Sequence, residues 1–466
     1  MYGLDAEMIK KLIGTALSKG GEYADLFAEY YINNLLRLEE GIIKDASKTI
    51  AAGVGIRVLK GDQTGYAYVE DITFENLNRA ALTAAAIADQ PKKVGEIKIV
   101  SSEMKPTLYP IKLPISEVGW DRKTGMIKEA EAKAFEVDKR IIRVNVSFTD
   151  TDRYILLANS DGVLMTDFQP MMRFGVNSIA MENGNMQSGY QGGGGRIGME
   201  YFKEDKSYLQ IAEDSAKDAI LLLSAQDAPA GPMPVVLAAG NSGILLHEAI
   251  GHPLEADFNR KGTSAYAGRI GQKVASELCT IYDGGNVPND RGSINFDDEG
   301  AVSRKTVLIE KGILRGYMHD RISAAFYKTS PTGNGRRESY QYYPIPRMTV
   351  TYLENGTTPP EDVYKDVKQG IYCRSFSGGQ VDISNGDFVF NPTVAYLIEN
   401  GKLTHPVKNF TLIGNGPDVL TKVVSVGNDF RFSDGIWTCG KGQSVPVGVG
   451  LPTVLISEIT VGGKKA

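Results

Sequence analysis

The sequence predicts an α+β protein in two halves, and three observations carry that reading. Short alternating apolar and polar runs, the period of strands, recur along the chain. Helical periodicity is confined to isolated segments, without the strand–helix–strand rhythm of a parallel sheet. A small-residue stretch, Ala225-Gln226-Asp227-Ala228-Pro229-Ala230-Gly231-Pro232, separates a helix-bearing first half from a second half rich in Gly, Val, Thr and Tyr. We therefore expect an N-terminal domain over residues 1–228, mixing an antiparallel sheet with flanking helices. A mostly antiparallel β domain with few helices should follow over residues 229–466.

Each element follows from its pattern. Residues 5–19 place Ile9, Leu12, Ile13 and Leu17 on one helical stripe. Residues 24–50 read as extended. Runs at 54–60 and 64–69, joined by Gly61-Asp62-Gln63, predict a hairpin. Residues 75–90 are Ala-rich and helical, 94–113 are polar and should wrap the surface, and 124–140 form a charged helix. Strands are expected at 141–148, 153–158 and 162–167, with a turn at Asn159-Ser160-Asp161-Gly162. Gln191-Gly192-Gly193-Gly194-Gly195 reads as a flexible connector, since no strand-to-helix turn of phosphate-binding spacing follows it. Residues 205–224 form a helix. A buried strand at 234–239 leads to Asn241-Ser242-Gly243, which should cap the next helix.

Composition narrows the function. Of 466 residues, 42% are apolar and 23% charged, as in ordinary globular proteins. The net charge is -5, and no basic cluster is long enough to track a phosphate backbone, so direct nucleic-acid binding is not expected. Three scattered cysteines make no disulfide framework and fit a reducing, cytoplasmic setting. No apolar run nears the roughly 18 residues that span a membrane, and the N-terminus lacks the pattern of a secretory signal.

The chemistry concentrates at His247-Glu248-Ala249-Ile250-Gly251-His252. Two of the four histidines lie five residues apart, with a glutamate after the first. Imidazoles ligate zinc, zinc lowers the pKa of water to about 7, and a neighbouring carboxylate can take the proton. The familiar zinc helix spaces its histidines four apart. Five residues of regular helix turn about 500°, leaving the two side chains roughly 140° apart. Both reach one ion only if the helix is distorted or ends, and Gly251 and Pro253 supply the means. The apolar run Ile244-Leu245-Leu246 argues that the helix is buried. A third ligand is open: Glu255 and Asp257 are close in sequence, and His319, His405, Cys279, Cys373 and Cys439 are distant candidates. Cys439 stands in a glycine-flanked loop, whereas Cys279 reads as a core residue.

These residues resemble a known family. The segment His247–His252 with Pro253-Leu254-Glu255-Ala256-Asp257-Phe258 is similar to the signature of the TldD/PmbA metallopeptidases. Further agreement comes from Gly316-Tyr317-Met318-His319-Asp320-Arg321, Gly333-Asn334-Gly335-Arg336-Arg337-Glu338-Ser339-Tyr340, Pro344-Ile345-Pro346-Arg347-Met348-Thr349, Gly378-Gly379-Gln380-Val381 and 439–448. The order and extent of these motifs cover nearly all of the second half; Pro253 departs from the expected Gly. The resemblance implies the TldD-type catalytic subunit, with one zinc on His247, His252 and Cys439 and with Glu248 as general base. It also implies unfolded peptide substrates bound as an added strand, and a homodimer or a heterodimer with a TldE/PmbA-type subunit. The N-terminal domain would then serve the cleft and dimerisation. His319, Arg336, Arg337 and Tyr340 are candidates for stabilising the oxyanion. Two rivals remain: a peptide-binding protein whose structural metal takes Glu255 or His319 as fourth ligand, and a gyrase-associated regulator without protease activity.

Overall fold

The computed structural model describes residues 3–88, 95, 97–101 and 108–463. A seven-stranded sheet organises the first half. Its strands are β1 (Tyr23–Glu39), β2 (Ile42–Lys60), β3 (Gln63–Val69), β4 (Val100–Ser101), β5 (Ile141–Asn159), β6 (Val163–Glu182) and β7 (Asn185–Gly195). The order is β3-β2-β1-β5-β6, with β4 and β7 both on β6, and every pairing but β4–β6 is antiparallel.

Residues 24–50 are extended as expected, but they fold back at Glu40 and Gly41, whose φ values are +52° and +76°. Alternation alone does not mark that turn. The stretches 141–148 and 153–158 belong to one strand, because Thr149 to Asp152 stay paired with Leu35 to Ile32 of β1. The glycine run at 191–195 is not a flexible connector. It ends β7 and pairs with Val176 to Met172 of β6. Close neighbours explain the composition: a Cβ on Gly193 would overlap the Tyr201 hydroxyl, and Gly194 and Gly195 hold φ near +153° and +154°.

Five helices accompany this sheet among the described residues: α1 (Ala6–Leu17), α2 (Phe74–Ala85), α3 (Trp120–Val137), the short α4 (Tyr201–Glu204) and α5 (Tyr208–Leu223). Asp5 caps α1 by accepting from the Met8 N–H at 2.8 Å, and Ser207 caps α5. Helices α1 and α2 bury Ile9, Leu12, Leu77 and Ala81 against Leu26, Val54 and Ile56. Helices α3 and α5 bury Met126, Ile127, Ile211 and Ala212 against Val146, Phe148 and Phe174. Of the helix expected at 75–90, residues 89 and 90 lie outside the described residues. So do 94, 96 and 102–107 of the expected surface wrap.

The second half packs an eight-stranded and a six-stranded sheet around one large core. Gly231–Leu237 runs parallel to Gln369–Val381 and antiparallel to Val454–Val461, and Val350–Leu353 pairs in parallel with Gly448–Leu451. The stretch around residue 226 is itself a strand: Gln226–Asp227 pairs with Val407–Lys408. The two halves meet through buried ions. Arg57 donates to Asp25 at 2.7 Å and to Glu299 at 2.7 Å, and Arg337 reaches Asp25 at 3.2 Å. Each of these charges has an opposite partner, as burial requires.

Candidate metal centre

The odd spacing of the histidines is resolved locally. A short 3-10 turn (Asn241–Gly243) and three α-helical residues (Ile244–Leu246) lead into a π-helical turn over His247–Gly251, and a 3-10 turn (His252–Leu254) follows. The His252 N–H donates to the His247 carbonyl, an i→i+5 bond that sets one histidine above the other. Their ring centroids are 5.0 Å apart. Asn241 does not cap this helix. Its side chain instead donates to Asp434 at 2.9 Å and accepts from the Asp434 N–H. Ile244, Leu245, Leu246, Ala249 and Ile250 anchor the segment in the core, so the polar residues emerge from a buried frame. Gly251 is required by packing, since a Cβ there would overlap the Met348 sulfur. Pro253 starts the turn that ends the helix, and its carbonyl accepts from Asn259 at 2.7 Å and Ser264 at 2.6 Å.

Cys439 arrives from the far end of the chain, on a hairpin of Thr438–Gly440 with Ser444–Pro446. His247, His252 and Cys439 are all buried, and one ligand atom from each lies within 4.8 Å of the others. The Cys439 Sγ is 3.3 Å from His252 Nε2. Burial alone would push the Cys439 thiol up, but the charges and hydrogen bonds of His247 and His252 outweigh it and pull it well below the usual value. The buried Nδ1 of His247 has no hydrogen-bond partner among the described residues. Two imidazoles, a thiol prone to ionise and an unsatisfied buried nitrogen form a donor set that fits a zinc-type ion. Glu248 is half-buried beside them. Burial, opposed by the two histidines, raises its carboxyl above the ordinary range.

Behind the ligands lies a shell whose roles the sequence does not disclose. Glu255 is fully buried, and its Oε2 faces His252 Nδ1 at 3.1 Å. That contact favours the tautomer that leaves Nε2 for a metal. Lys441 lies 3.0 Å from Glu255 and 2.7 Å from Asp257. Arg347 is fully buried, 3.6 Å from Glu255, and donates to the carbonyls of Cys439 at 2.8 Å and Gln443 at 2.7 Å. Burial opposes ionisation of Glu255, yet Lys441, His252 and Arg347 hold its carboxyl down to about 2. Lys441 and Arg347 thus tie the Cys439 hairpin to the histidine segment. Both lie in segments that carry the family resemblance, and the lone arginine of Pro344-Ile345-Pro346-Arg347-Met348 is the signal the sequence offers for this role.

Other expected residues are placed elsewhere. Cys279 and Cys373 are buried thiols raised by burial, Cys279 to about 12, and His405 is exposed on Lys402–Lys408. His319 is not in the ligand group; it packs on Tyr327, and burial lowers its pKa to about 4. Arg336 donates to the Met348 carbonyl at 2.5 Å, Arg337 binds Asp25, and the Tyr340 hydroxyl donates to Glu70 at 3.0 Å. Arg337 and Tyr340 therefore join the two halves.

Residues 230–463 match the PmbA/TldA metallopeptidase C-terminal domain, 113–223 the central domain and 24–88 domain 1 of the same family. The chain belongs to the PmbA/TldD metallopeptidase family. It is 43% identical to a metalloprotease TldD homolog of Haemophilus influenzae, over 95% of this chain and 93% of that one. A TldD homolog of Buchnera aphidicola is 42% identical over the same shares. With such relatives the chain is a TldD-type metallopeptidase. The fold is also that of a Thermotoga maritima protein described as a modulator of a DNA gyrase, with a TM-score of 0.80 at 23% identity over 98% of this chain and 99% of that one. TldE from Thermococcus kodakarensis shares it too, with a TM-score of 0.77 at 20% identity, 98% of this chain and all of that chain being covered. No described helix is long and apolar enough to cross a membrane.

Proposed function

We propose that His247, His252 and Cys439 hold one zinc ion and that Glu248 is the general base in hydrolysis of unfolded peptides or small proteins. The observation that carries this reading is the convergence of two imidazoles and a thiol within 4.8 Å, beside a half-buried glutamate. When bound, the ion supplies a Lewis acid and lowers the pKa of water. Glu248 takes the proton from water and returns it to the leaving amine, and its raised pKa suits both steps. Glu255 and Lys441 orient His252. A closed structural site is disfavoured, because Glu255 is engaged by His252 and Lys441 and His319 stays outside the group.

As partner we propose a second copy or a TldE/PmbA-type subunit, with residues 1–228 contributing the cleft and dimer contacts. The unpaired thiols fit a cytoplasmic setting. Metal analysis of the purified protein, then digestion of casein with and without chelator, tests the reading. A chelator-insensitive digestion, or a protein purified and reconstituted without any bound metal, refutes it.

A further inference from the structure

A cleft of about 740 Å³ lies between the halves. Tyr190 of β7 and Asp218 of α5 line one wall; Arg374, Phe376, Trp437 and Thr438 line the other. Thr438 directly precedes Cys439 on one strand, with Thr438 exposed towards the cleft and Cys439 buried on the opposite face, so the cleft and the metal centre share the Cys439 hairpin.

Most of its charges are neutralised in place. Arg374 pairs with Asp218, Lys206 with Asp214 at 3.2 Å, and Lys217 with Glu213 at 2.6 Å. Asp434 accepts from the neutral Asn241 amide and makes no ion pair among the described residues. Of the cations, Arg173, on the same wall as Tyr190, differs: it donates to the Tyr190 hydroxyl at 3.2 Å and makes no ion pair among the described residues. Near it stands Arg291, only 8% exposed. Its Nε donates to the Trp437 carbonyl at 2.8 Å and its Nη2 to Thr438 Oγ1 at 3.2 Å, while its buried Nη1 has no partner among the described residues. Burial holds the Arg291 guanidinium down to about 10, and the charges of Arg173 and Arg196 push it the same way. The adjacent carboxyl of Asp290 is a weak counter-ion, since burial raises it to about 6 and it accepts from the Gly292 N–H. Arg291 is the buried charge of the two, and Arg173, half-buried, is the one that reaches the cleft.

Resting on the metallopeptidase reading above, we propose that this wall is an anion subsite in which Arg173 binds a carboxylate of the peptide substrate. Arg291 holds the Trp437 carbonyl and the Thr438 hydroxyl and adds its field. The carboxylate comes from an acidic side chain or from a free C-terminus.

The test uses matched fluorogenic peptides differing by one Glu→Gln change at each position flanking the cleaved bond, and by a free or amidated C-terminus. The full-length, metal-loaded enzyme should favour one carboxylate form by about tenfold in kcat/KM, the scale of a charge-assisted hydrogen bond. A preference in the side-chain arm identifies an acidic residue; one in the terminal arm identifies the C-terminus. Arg173→Gln should bring the ratio near one, Arg173→Lys should retain part of it, and Arg173→Glu should favour Lys-bearing peptides. Peptide binding to Glu248→Gln, read by fluorescence anisotropy, reports the same ratio without turnover. Casein digestion that proceeds with no carboxylate preference overturns the subsite alone. Loss of digestion in every form, with the binding preference intact, overturns the peptidase reading alone. An unchanged ratio in folded Arg173→Gln also overturns the subsite.

Discussion

The histidine segment and the Cys439 hairpin deliver their ligands by opposite means. His247 and His252 are brought together by one i→i+5 bond inside a five-residue turn anchored in the core. Cys439 comes from 187 residues beyond His252 and is held by a side-chain clamp, Arg347 on its carbonyl and Lys441 on Glu255. The first arrangement is set by local backbone, the second by tertiary ion pairs. The two should therefore fail differently.

The largest expected effect concerns the chemistry both regions serve. Glu248→Gln should lower kcat by about 10²–10⁴, the range for a general base, and leave bound metal unchanged by elemental analysis. Full activity in that variant would remove Glu248 from its role. Weakening the clamp should come next. Glu255→Gln or Lys441→Met should reduce metal affinity about 10–100-fold, as loss of an outer partner of a ligand does, measured by competition with a chromogenic chelator. Unaltered affinity would mean that the hairpin holds Cys439 without the clamp.

Breaking the local device should act on stability first. Gly251→Ala places a Cβ on the buried Met348 and should cost about 1–3 kcal/mol in chemical denaturation, through overpacking. Equal stability would mean that Met348 yields.

The smallest effect is a pH window. Glu255 is held at about 2, below the usual carboxyl value of 4.5. It is charged in the fold and protonated more readily when unfolded. Its contribution is thus complete above about 4.5 and lost as pH falls towards about 2. Wild type should lose more stability across that window than Glu255→Gln; parallel curves would contradict the clamp.

How far each region was legible follows from the same difference. The need for a distorted helix could be read from the five-residue spacing, with Gly251 and Pro253 as its means, because rotation per residue is a local property. The loop expected at 191–195 failed for the opposite reason. Glycines look alike in a flexible turn and in a strand crowded by Tyr201, and only the neighbour distinguishes them. Alternation likewise marked residues 24–50 as extended without locating the fold-back at Glu40–Gly41. Arg337 and Tyr340 stood only as oxyanion candidates, and their contacts with Asp25 and Glu70 across the two halves could not be read from the sequence.

By itself, then, the sequence determined the α+β class, most helices to within a few residues, and the histidine pair with its glutamate. Those follow from periodicity and from spacing along one backbone. Spacing left the third ligand open, and only the family resemblance pointed to Cys439. The tertiary structure brings its thiol to the histidines and sets Glu255 behind His252 rather than among the ligands. It also leaves Arg173 without an ion pair and the Arg291 Nη1 without a partner among the described residues. Ion pairing and burial depend on segments hundreds of residues apart, and no local pattern encodes which charge will find its partner.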